Sequence, residues 1–173
     1  MNNRIYPQSA LNKPVKEYNE RLSLKTKMDR REKTIDRILN MDKIKQVIVI
    51  RKDLKMRKGK MVSQGAHASF GVFLDMMEHT KLKNGDYGFK FTCNSVMSSW
   101  LLKGEFTKIT VSVDSEKELE EVFNSAKLLK LPTKIITDLG YTEFDGVPTK
   151  TACVIGPCLS SDVDQITGNL SLL

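Results

Sequence analysis

Four short apolar runs stand out along the last three quarters of the chain. Each is four to seven residues long and rich in β-branched residues, which is typical of strands buried on both faces. The runs are VIVI (47–50), TKITVSV (107–113), TKIITD (133–138) and TACVIG (151–156). We therefore predict four strands that share one sheet.

Helical signals lie between these runs. SEKE at residues 115–118 is a capping box and predicts a helix through Leu129. Asn94 offers an N-cap for a short helix, and a last short helix is expected to end at Gly168. The helices therefore alternate with the strands along most of the chain.

A longer helix is predicted from about Lys60 to Glu78. Its small residues would let the helix backbone approach a sheet closely. The stripe expected on its buried side consists of Val62, Ala66, Ser69, Phe73 and Met76. The segment KLKNGDYGFKF that follows contains turn dipeptides and is interpreted as a loop.

The order of the elements predicts the architecture. Helical connections between the first and second strands, and between the second and third, favour parallel neighbours with right-handed crossovers. A loop joins the third and fourth strands, which favours an antiparallel pair. We therefore predict an α/β fold, a three-layer α/β/α sandwich around a mixed four-stranded β-sheet.

The net charge of +7 is distributed unevenly. Residues 1–45 hold 12 Lys and Arg against 6 Asp and Glu, which is +6, whereas the rest of the chain is close to neutral. We predict two parts: a basic N-terminal extension, 1–44, and an α/β domain, 45–173. The extension is expected to be disordered over its first 15 or so residues and partly helical afterwards, with an apolar stripe only from Ile35 to Leu39. Such an arm either attracts a polyanion or improves solubility.

Composition narrows the class of protein. No apolar run approaches the roughly 18 residues that span a membrane, and the N-terminus lacks the apolar region of a secretory signal, so a cytoplasmic protein without a membrane partner is expected. Cys93, Cys153 and Cys158 include no CxxC pair, so they are interpreted as reduced and mostly buried thiols.

Two loops carry the candidate chemistry. Ligands of open α/β sheets collect beyond the carboxyl ends of the strands. The loop 51–59 is cationic and leads into a helix N-terminus, which favours anions. The loop 138–150 is rich in hydroxyl and carboxyl groups. No GxxxxGK[ST] or GxGxxG motif is present, so the sequence does not indicate an NTPase or a dinucleotide-binding protein.

Four ordered blocks resemble one family over about 45–173. KQVIVIRKDLKMRKGKMVSQGAHASFG resembles the opening block of the archaeal/eukaryotic-type (type II) peptidyl-tRNA hydrolases. SSWLLKGEFTKITVSV, LPTKIITDLGYTEF and TACVIGPCLSSDVDQITGNLSLL are similar to the family's later blocks, in the same order. Residues 1–45 lie outside the resemblance.

The resemblance implies a function and a site. It implies hydrolysis of the ester that joins a peptide to the 3′ ribose of tRNA, with peptidyl-tRNA as partner, no metal or other cofactor, and often a homodimer. The catalytic residues that it implies are Lys60, Gln64, Asp138, Thr142 and Thr151. Secondary candidates are His67 and Thr149, and candidate tRNA-binding residues are Lys55, Arg57 and Lys58. The small apolar neighbours of His67 favour a structural role for it.

Two departures from the family pattern concern the second loop. Glu143 replaces a glutamine and places a carboxylate where anionic tRNA would approach, and Leu139 replaces an alanine. Glu143 and the unmatched arm support an alternative hypothesis, a non-catalytic module that retains the fold and binds RNA or protein.

Overall fold

The computed structural model describes residues 20–31, 43–103 and 106–173. The chain divides into two units, Met1–Met41 and Asp42–Leu173. In the first unit, residues 20–31 form helix α1, and all of its side chains are exposed. The disorder predicted for the first 15 or so residues and the stripe at Ile35 to Leu39 lie outside the described residues. The predicted boundary between 44 and 45 stays a prediction.

The second unit alternates strands and helices as the sequence predicts, with one addition. Its elements are β1 (Ile44–Arg51), α2 (Lys58–Leu74), β2 (Met77–Lys81), β3 (Tyr87–Phe91), α3 (Ser95–Leu102), β4 (Lys108–Val113), α4 (Glu116–Leu128), β5 (Thr133–Asp138), β6 (Thr149–Leu159) and α5 (Ser160–Thr167). The predicted caps are present: the side chain of Asn94 accepts from the N–H of Met97, and that of Ser115 accepts from the N–H of Glu118.

The main sheet has four strands in the order β4-β1-β6-β5 and is mixed, as predicted. β1 pairs with β4 in parallel and with β6 in antiparallel orientation, and β5 pairs with β6 in antiparallel orientation. The prediction that β4 and β5 are neighbours is wrong. They lie at opposite edges of the sheet, because β1 and β6 pair with each other between them.

Alternating side chains of the central strands face two cores. Val47 and Val49 of β1 pack against α4 and α5, whereas Ile48 and Ile50 pack against α2 and α3. Helices therefore cover both faces of the sheet, which confirms the three-layer α/β/α sandwich. Trp100 is buried in the second core, and Phe106 is half exposed and stacks on it at 4.1 Å between ring centroids.

The predicted α2 stripe is confirmed at Phe73 but is wrong at Val62 and Ala66. The helix ends at Leu74, and the residues it buries are Gln64, Ala68, Gly71, Val72 and Phe73. Val62 is 72% exposed and Ala66 is also exposed. Polar Gln64 takes a core position because partners from the sheet satisfy its amide, and this rotates the apolar positions 62 and 66 toward solvent.

The segment interpreted as a loop is a β-hairpin. β2 and β3 pair in antiparallel register to form a separate two-stranded sheet. The turn between them is fixed by backbone bonds from Leu82 to Asp86 (2.7 Å) and from Gly85 to Leu82 (3.0 Å). The backbone pairing of the two strands defines this element, because most of its side chains are exposed.

All three cysteines are thiols, and Cys153 and Cys158 are buried, in agreement with the prediction. Within the described ranges, no helix is long and apolar enough to cross a membrane.

Candidate active site

The two candidate loops meet at one edge of the sheet. β1 and β5 both run antiparallel to β6, so their carboxyl ends lie beside the first residues of β6. Asp138 is the last residue of β5 and pairs with Thr149. The register between β5 and β6 shifts after Ile136, and this irregularity leaves Thr151 without a partner on β5. Bulges of this kind redirect a side chain and are common beside active sites.

Helix α2 brings the second set of residues to this edge. It begins beside Arg57, so Lys60 lies in its first turn and Gln64 lies one turn later on the same side. Lys60 is partly buried and Gln64 is fully buried. The i, i+4 spacing lets both side chains reach one group at the end of β5.

That group is the carboxylate of Asp138. Its Oδ2 accepts from Nζ of Lys60 at 2.6 Å and from Nε2 of Gln64 at 2.8 Å. Its Oδ1 accepts from the backbone N–H of Gly140 at 2.9 Å. Nζ of Lys60 also donates to Oγ1 of Thr142 at 3.0 Å. One carboxylate therefore joins α2 to the loop that follows β5.

Thr151 fixes the orientation of the Gln64 amide. Its hydroxyl donates to Oε1 of Gln64 at 2.6 Å, and both residues are inaccessible to solvent or nearly so. Since the oxygen of the amide is engaged by Thr151, the nitrogen must point toward Asp138. The five residues Lys60, Gln64, Asp138, Thr142 and Thr151 thus form one continuous hydrogen-bonded network.

The network keeps Asp138 ionised. The hydrogen bond from Lys60 is the largest influence and lowers the pKa of the Asp138 carboxyl below its ordinary value of 3.8, while burial opposes the shift. The bonds from Gly140 and Gln64 lower the pKa further. The stable form of the site is therefore an ion pair in which Asp138 is a hydrogen-bond acceptor and a weak base.

A tight turn after Asp138 places Thr142 over Lys60. Gly140 has a φ of +83°, and a Cβ at this position would lie 2.5 Å from the carbonyl oxygen of Val147. Only glycine combines this conformation with so close a backbone approach. The turn is closed by bonds from the N–H groups of Phe144 and Gly146 to the Gly140 carbonyl.

Comparison with known proteins connects this network to a family. The sequence profile described as "Peptidyl-tRNA hydrolase PTH2" matches residues 44–173. A protein named peptidyl-tRNA hydrolase from Methanocaldococcus jannaschii is 43% identical over 130 residues, which cover 75% of this chain and 100% of that protein.

The chain belongs to the peptidyl-tRNA hydrolase PTH2 family.

Further relatives agree with this assignment. Proteins of the same name from Halobacterium salinarum and Sulfurisphaera tokodaii are 40% and 39% identical over 130 residues, with 99% and 98% of each relative covered. Among solved structures, a protein of unknown function from Agrobacterium has a TM-score of 0.44 and 10% identity, covering 75% of this chain and 96% of that one.

In this member of the PTH2 family, every residue of the network except Thr151 lines a cleft of about 350 Å³. The lining residues are Lys60, Gln64, His67, Ile136, Thr137, Asp138, Leu139, Tyr141 and Thr142. The side chain of His67 is exposed at the cleft, and the structural role expected for it stays a prediction. Ala66 and His67 are both exposed on the solvent side of α2, whereas Gly65 faces Ile48 of β1.

Tyr141 lines the cleft but was not among the candidates from the sequence, and the same holds for Ile136 and Thr137. The side chain of Tyr141 is 84% exposed, and the residue directly precedes Thr142. Its position next to Thr142, a candidate site residue, was the sequence signal that could have identified it. Thr149, a secondary candidate, instead donates to the carbonyl of Val147 at 2.8 Å and does not line the cleft.

The cations of the first loop differ in availability. Lys55 and Lys58 are exposed and form no ion pair with another described residue. Arg57 pairs with Glu143, with Nε and Oε1 2.6 Å apart. Glu143 also accepts from the backbone N–H of Arg57 at 3.4 Å. The Glu143 carboxylate is thus compensated by Arg57 and by the positive end of α2.

Proposed function

We propose that this chain hydrolyses the ester that joins a peptide to the 3′ ribose of tRNA, using the network around Asp138. The observation that carries the proposal is the double engagement of Asp138 Oδ2 by Lys60 (2.6 Å) and Gln64 (2.8 Å) at an open cleft. Membership of a family whose relatives are named peptidyl-tRNA hydrolase supports the choice of substrate.

The unused hydrogen-bonding capacity of the network suits ester hydrolysis. The ammonium of Lys60 has three N–H donors and uses two of them, on Asp138 and Thr142. The third is available for the oxygen of the scissile carbonyl, whose negative charge develops in the tetrahedral intermediate. Because the hydroxyl of Thr142 accepts from Lys60, its own hydrogen remains free to donate to the substrate.

Asp138 holds the attacking water. Its Oδ1 accepts one bond from Gly140 and retains a lone pair for a water molecule. As the water oxygen bonds to the ester carbon, a proton passes to the carboxylate. The same proton protonates the 3′ oxygen of the ribose when the ester C–O bond breaks. The products are a peptide with a free carboxyl group and tRNA with a free 3′ hydroxyl.

Gln64 and Thr151 hold the Asp138 carboxylate in position beside Lys60. His67 and Tyr141 flank the substrate. Lys55, Lys58 and Arg57 contact phosphates of the tRNA, which position the RNA without reading its sequence. Such contacts suit an enzyme that accepts many different tRNAs. The cytosol is the proposed location, since this is where tRNA is recycled during translation.

A homodimer is also proposed. Val62, Ala66, Phe70 and Leu74 follow one another at four-residue spacing along α2, and all four are exposed. This apolar ridge would be covered by a second copy of the chain. Sedimentation equilibrium on the wild type and on a Phe70→Ser variant tests it: a dimer that Phe70→Ser does not weaken would exclude this ridge as the interface.

The decisive experiment measures release of tRNA from an N-acetylated aminoacyl-tRNA. The full-length protein is expected to turn over this substrate, and activity is expected to survive a chelator. An Asp138→Ala variant with native circular dichroism serves as the matched control. A wild-type protein that binds the substrate but does not cleave it would favour the non-catalytic module instead.

A further inference from the structure

The hairpin formed by β2 and β3 presents aromatic rings to solvent. Tyr87 is 56% exposed, Phe89 is 63% exposed, and His79 is exposed as well. The His79 ring lies 6.3 Å from that of Tyr87 and 6.2 Å from that of Phe89, measured between centroids. Three rings therefore form one small cluster outside both hydrophobic cores.

Strand register places these rings on one face. His79 pairs with Phe89 and Lys81 pairs with Tyr87, and side chains two residues apart on a strand point the same way. We call His79, Lys81, Tyr87 and Phe89 the ring face. It carries a lysine and no carboxylate.

The base of the hairpin is anchored, whereas the ring face is not. Met77 and Phe91 form the pair next to His79 and Phe89, and both pack against the second core. Phe91 meets Phe73 of α2 edge to face at 5.7 Å between centroids. The anchored end provides the packing, so packing alone does not account for the exposed rings beyond it.

Charge on the hairpin favours an anionic partner. Lys81 on the ring face and Lys83 in the turn are exposed and form no ion pair with another described residue. On the opposite face Lys90 lies 3.7 Å from Glu78. Asp86 in the turn is bonded to Asn84. Lys81 thus lies opposite Tyr87 on the ring face, and Lys83 lies in the adjoining turn.

We propose that the ring face is a second RNA-binding site that stacks unpaired bases of the substrate tRNA. Aromatic rings interleaved with lysines are the combination by which proteins hold unpaired nucleotides: bases stack on the rings, and cations neutralise the phosphates. The inference rests on the proposed function, because it names a second contact for the same RNA substrate.

The length of α2 is compatible with one polynucleotide that contacts both the cleft and the ring face. Lys60 and Leu74 are 14 residues apart on α2, which corresponds to roughly 20 Å of helix, and the hairpin begins beyond Leu74. A ligand that occupies both the cleft and the ring face must therefore be extended. A tRNA meets this requirement and a small molecule does not.

Two double variants test the ring face in the full-length protein. Tyr87→Leu with Phe89→Leu removes the rings but keeps apolar side chains, whereas Tyr87→Phe with Phe89→Tyr keeps both rings. The probe is a fluorescein-labelled single-stranded 12-nucleotide RNA, compared with a blunt RNA duplex of 12 base pairs. The leucine pair is expected to weaken single-strand binding about tenfold or more, whereas the ring-retaining pair stays within about twofold of wild type.

The outcomes separate the alternatives. Duplex binding is expected to change little in either variant, and the leucine pair is expected to raise KM for peptidyl-tRNA with kcat retained. If the leucine pair and the wild type bind the single strand equally, the proposal is overturned. The rings would then only stabilise the hairpin or be covered by a second copy of the chain. Failure of the wild type to cleave peptidyl-tRNA would refute the proposed function, while the single-strand measurement would still decide the ring face.

Discussion

Thr151 and Gln64 form a buried hydrogen bond of 2.6 Å that determines which end of the Gln64 amide faces Asp138. The bond lies at the irregularity in the pairing of β5 with β6, where Thr151 has no register partner on β5. The Thr151 hydroxyl also lies 3.5 Å from the carbonyl oxygen of Ile136 on β5. If the amide were reversed, its oxygen would face the Asp138 carboxylate and repel it. A residue that does not line the cleft thus controls the charge arrangement inside it.

Thr151→Val is therefore expected to lower kcat by about 10- to 100-fold, because it leaves the Gln64 oxygen unsatisfied and allows the amide to turn. Thr151→Ser retains the hydroxyl and is the matched control, expected to stay within a few-fold of wild type. Single-turnover hydrolysis measures the effect, with KM followed in parallel. A purely structural role would lower the melting temperature of Thr151→Val and leave kcat of the folded protein unchanged.

Lys60→Ala and Asp138→Ala should each reduce kcat by ~10²-fold or more, because each removes a charged group from the reacting centre. The double variant is expected to be scarcely worse than either single variant, since the two side chains act as one ion pair. Lys58→Ala, two residues from Lys60 and exposed, is the control and should affect KM alone. Near-normal turnover in both single variants, with native circular dichroism, would refute the assignment of the site.

The ion pair also predicts how stability depends on pH. The pKa of Asp138 is lowered in the folded protein, so its contribution is fully present above the unfolded value and is lost as pH falls through the folded value. The difference in unfolding free energy between wild type and Asp138→Asn is thus expected to be constant above about pH 5 and to shrink below about pH 4. Urea unfolding at several pH values measures this difference. A difference that grows on acidification would contradict the ion pair.

Gly140 and Gly146 offer a matched pair for the turn after β5. Both have positive φ, but an added Cβ at Gly140 would meet the Val147 carbonyl oxygen at 2.5 Å, whereas at Gly146 it meets nothing within 4 Å. Gly146→Ala should cost about 1 kcal/mol through backbone strain alone, and Gly140→Ala on the order of 2 kcal/mol or more. Thermal and urea unfolding measure both values. Equal losses of unfolding free energy in the two variants would mean that the turn relaxes and moves the added Cβ at position 140 away from the Val147 carbonyl oxygen.

Sequence reasoning succeeded where one local rule governs the structure. β5 has the predicted bounds because Pro132 precedes it and the apolar run ends at Asp138. Lys60 and Gln64 share a ligand because helical spacing alone puts them on one side. These relations need no knowledge of distant contacts.

It failed where partners far along the chain decide the outcome. Gln64 occupies a core position that periodicity assigns to apolar residues, because Thr151 and Asp138 satisfy its amide. The register shift beside Thr151 depends on how β5 pairs with β6, and a single sequence does not reveal this pairing. The β2–β3 hairpin was missed although its turn contains Asn84-Gly85, a common hairpin signal, because its outer residues are polar or aromatic and do not form an apolar run.

The N-terminal arm provides the last prediction. Deleting residues 1–41 removes ten Lys and Arg and five Asp and Glu, a net charge of +5, and keeps Lys43, whose carbonyl accepts from the N–H of Ser160 at 2.7 Å. We expect the shortened protein to fold and to retain kcat. Its KM for peptidyl-tRNA should rise, because the positive charge of the arm attracts the anionic substrate, whereas the proposed reacting groups all belong to the second unit.

Salt dependence tests whether the arm itself touches RNA. The slope of log affinity against log salt should become shallower by about 0.7 to 0.9 for each phosphate that the arm no longer neutralises. A full-length variant with Lys25→Gln and Lys27→Gln, both exposed on α1, separates charge from chain length and should show part of the same change. Identical slopes for the wild type and the shortened protein would show that the arm does not bind RNA. A shortened protein that does not fold would show instead that residues before 42 contribute to the stability of the α/β unit, and the proposed boundary would be wrong.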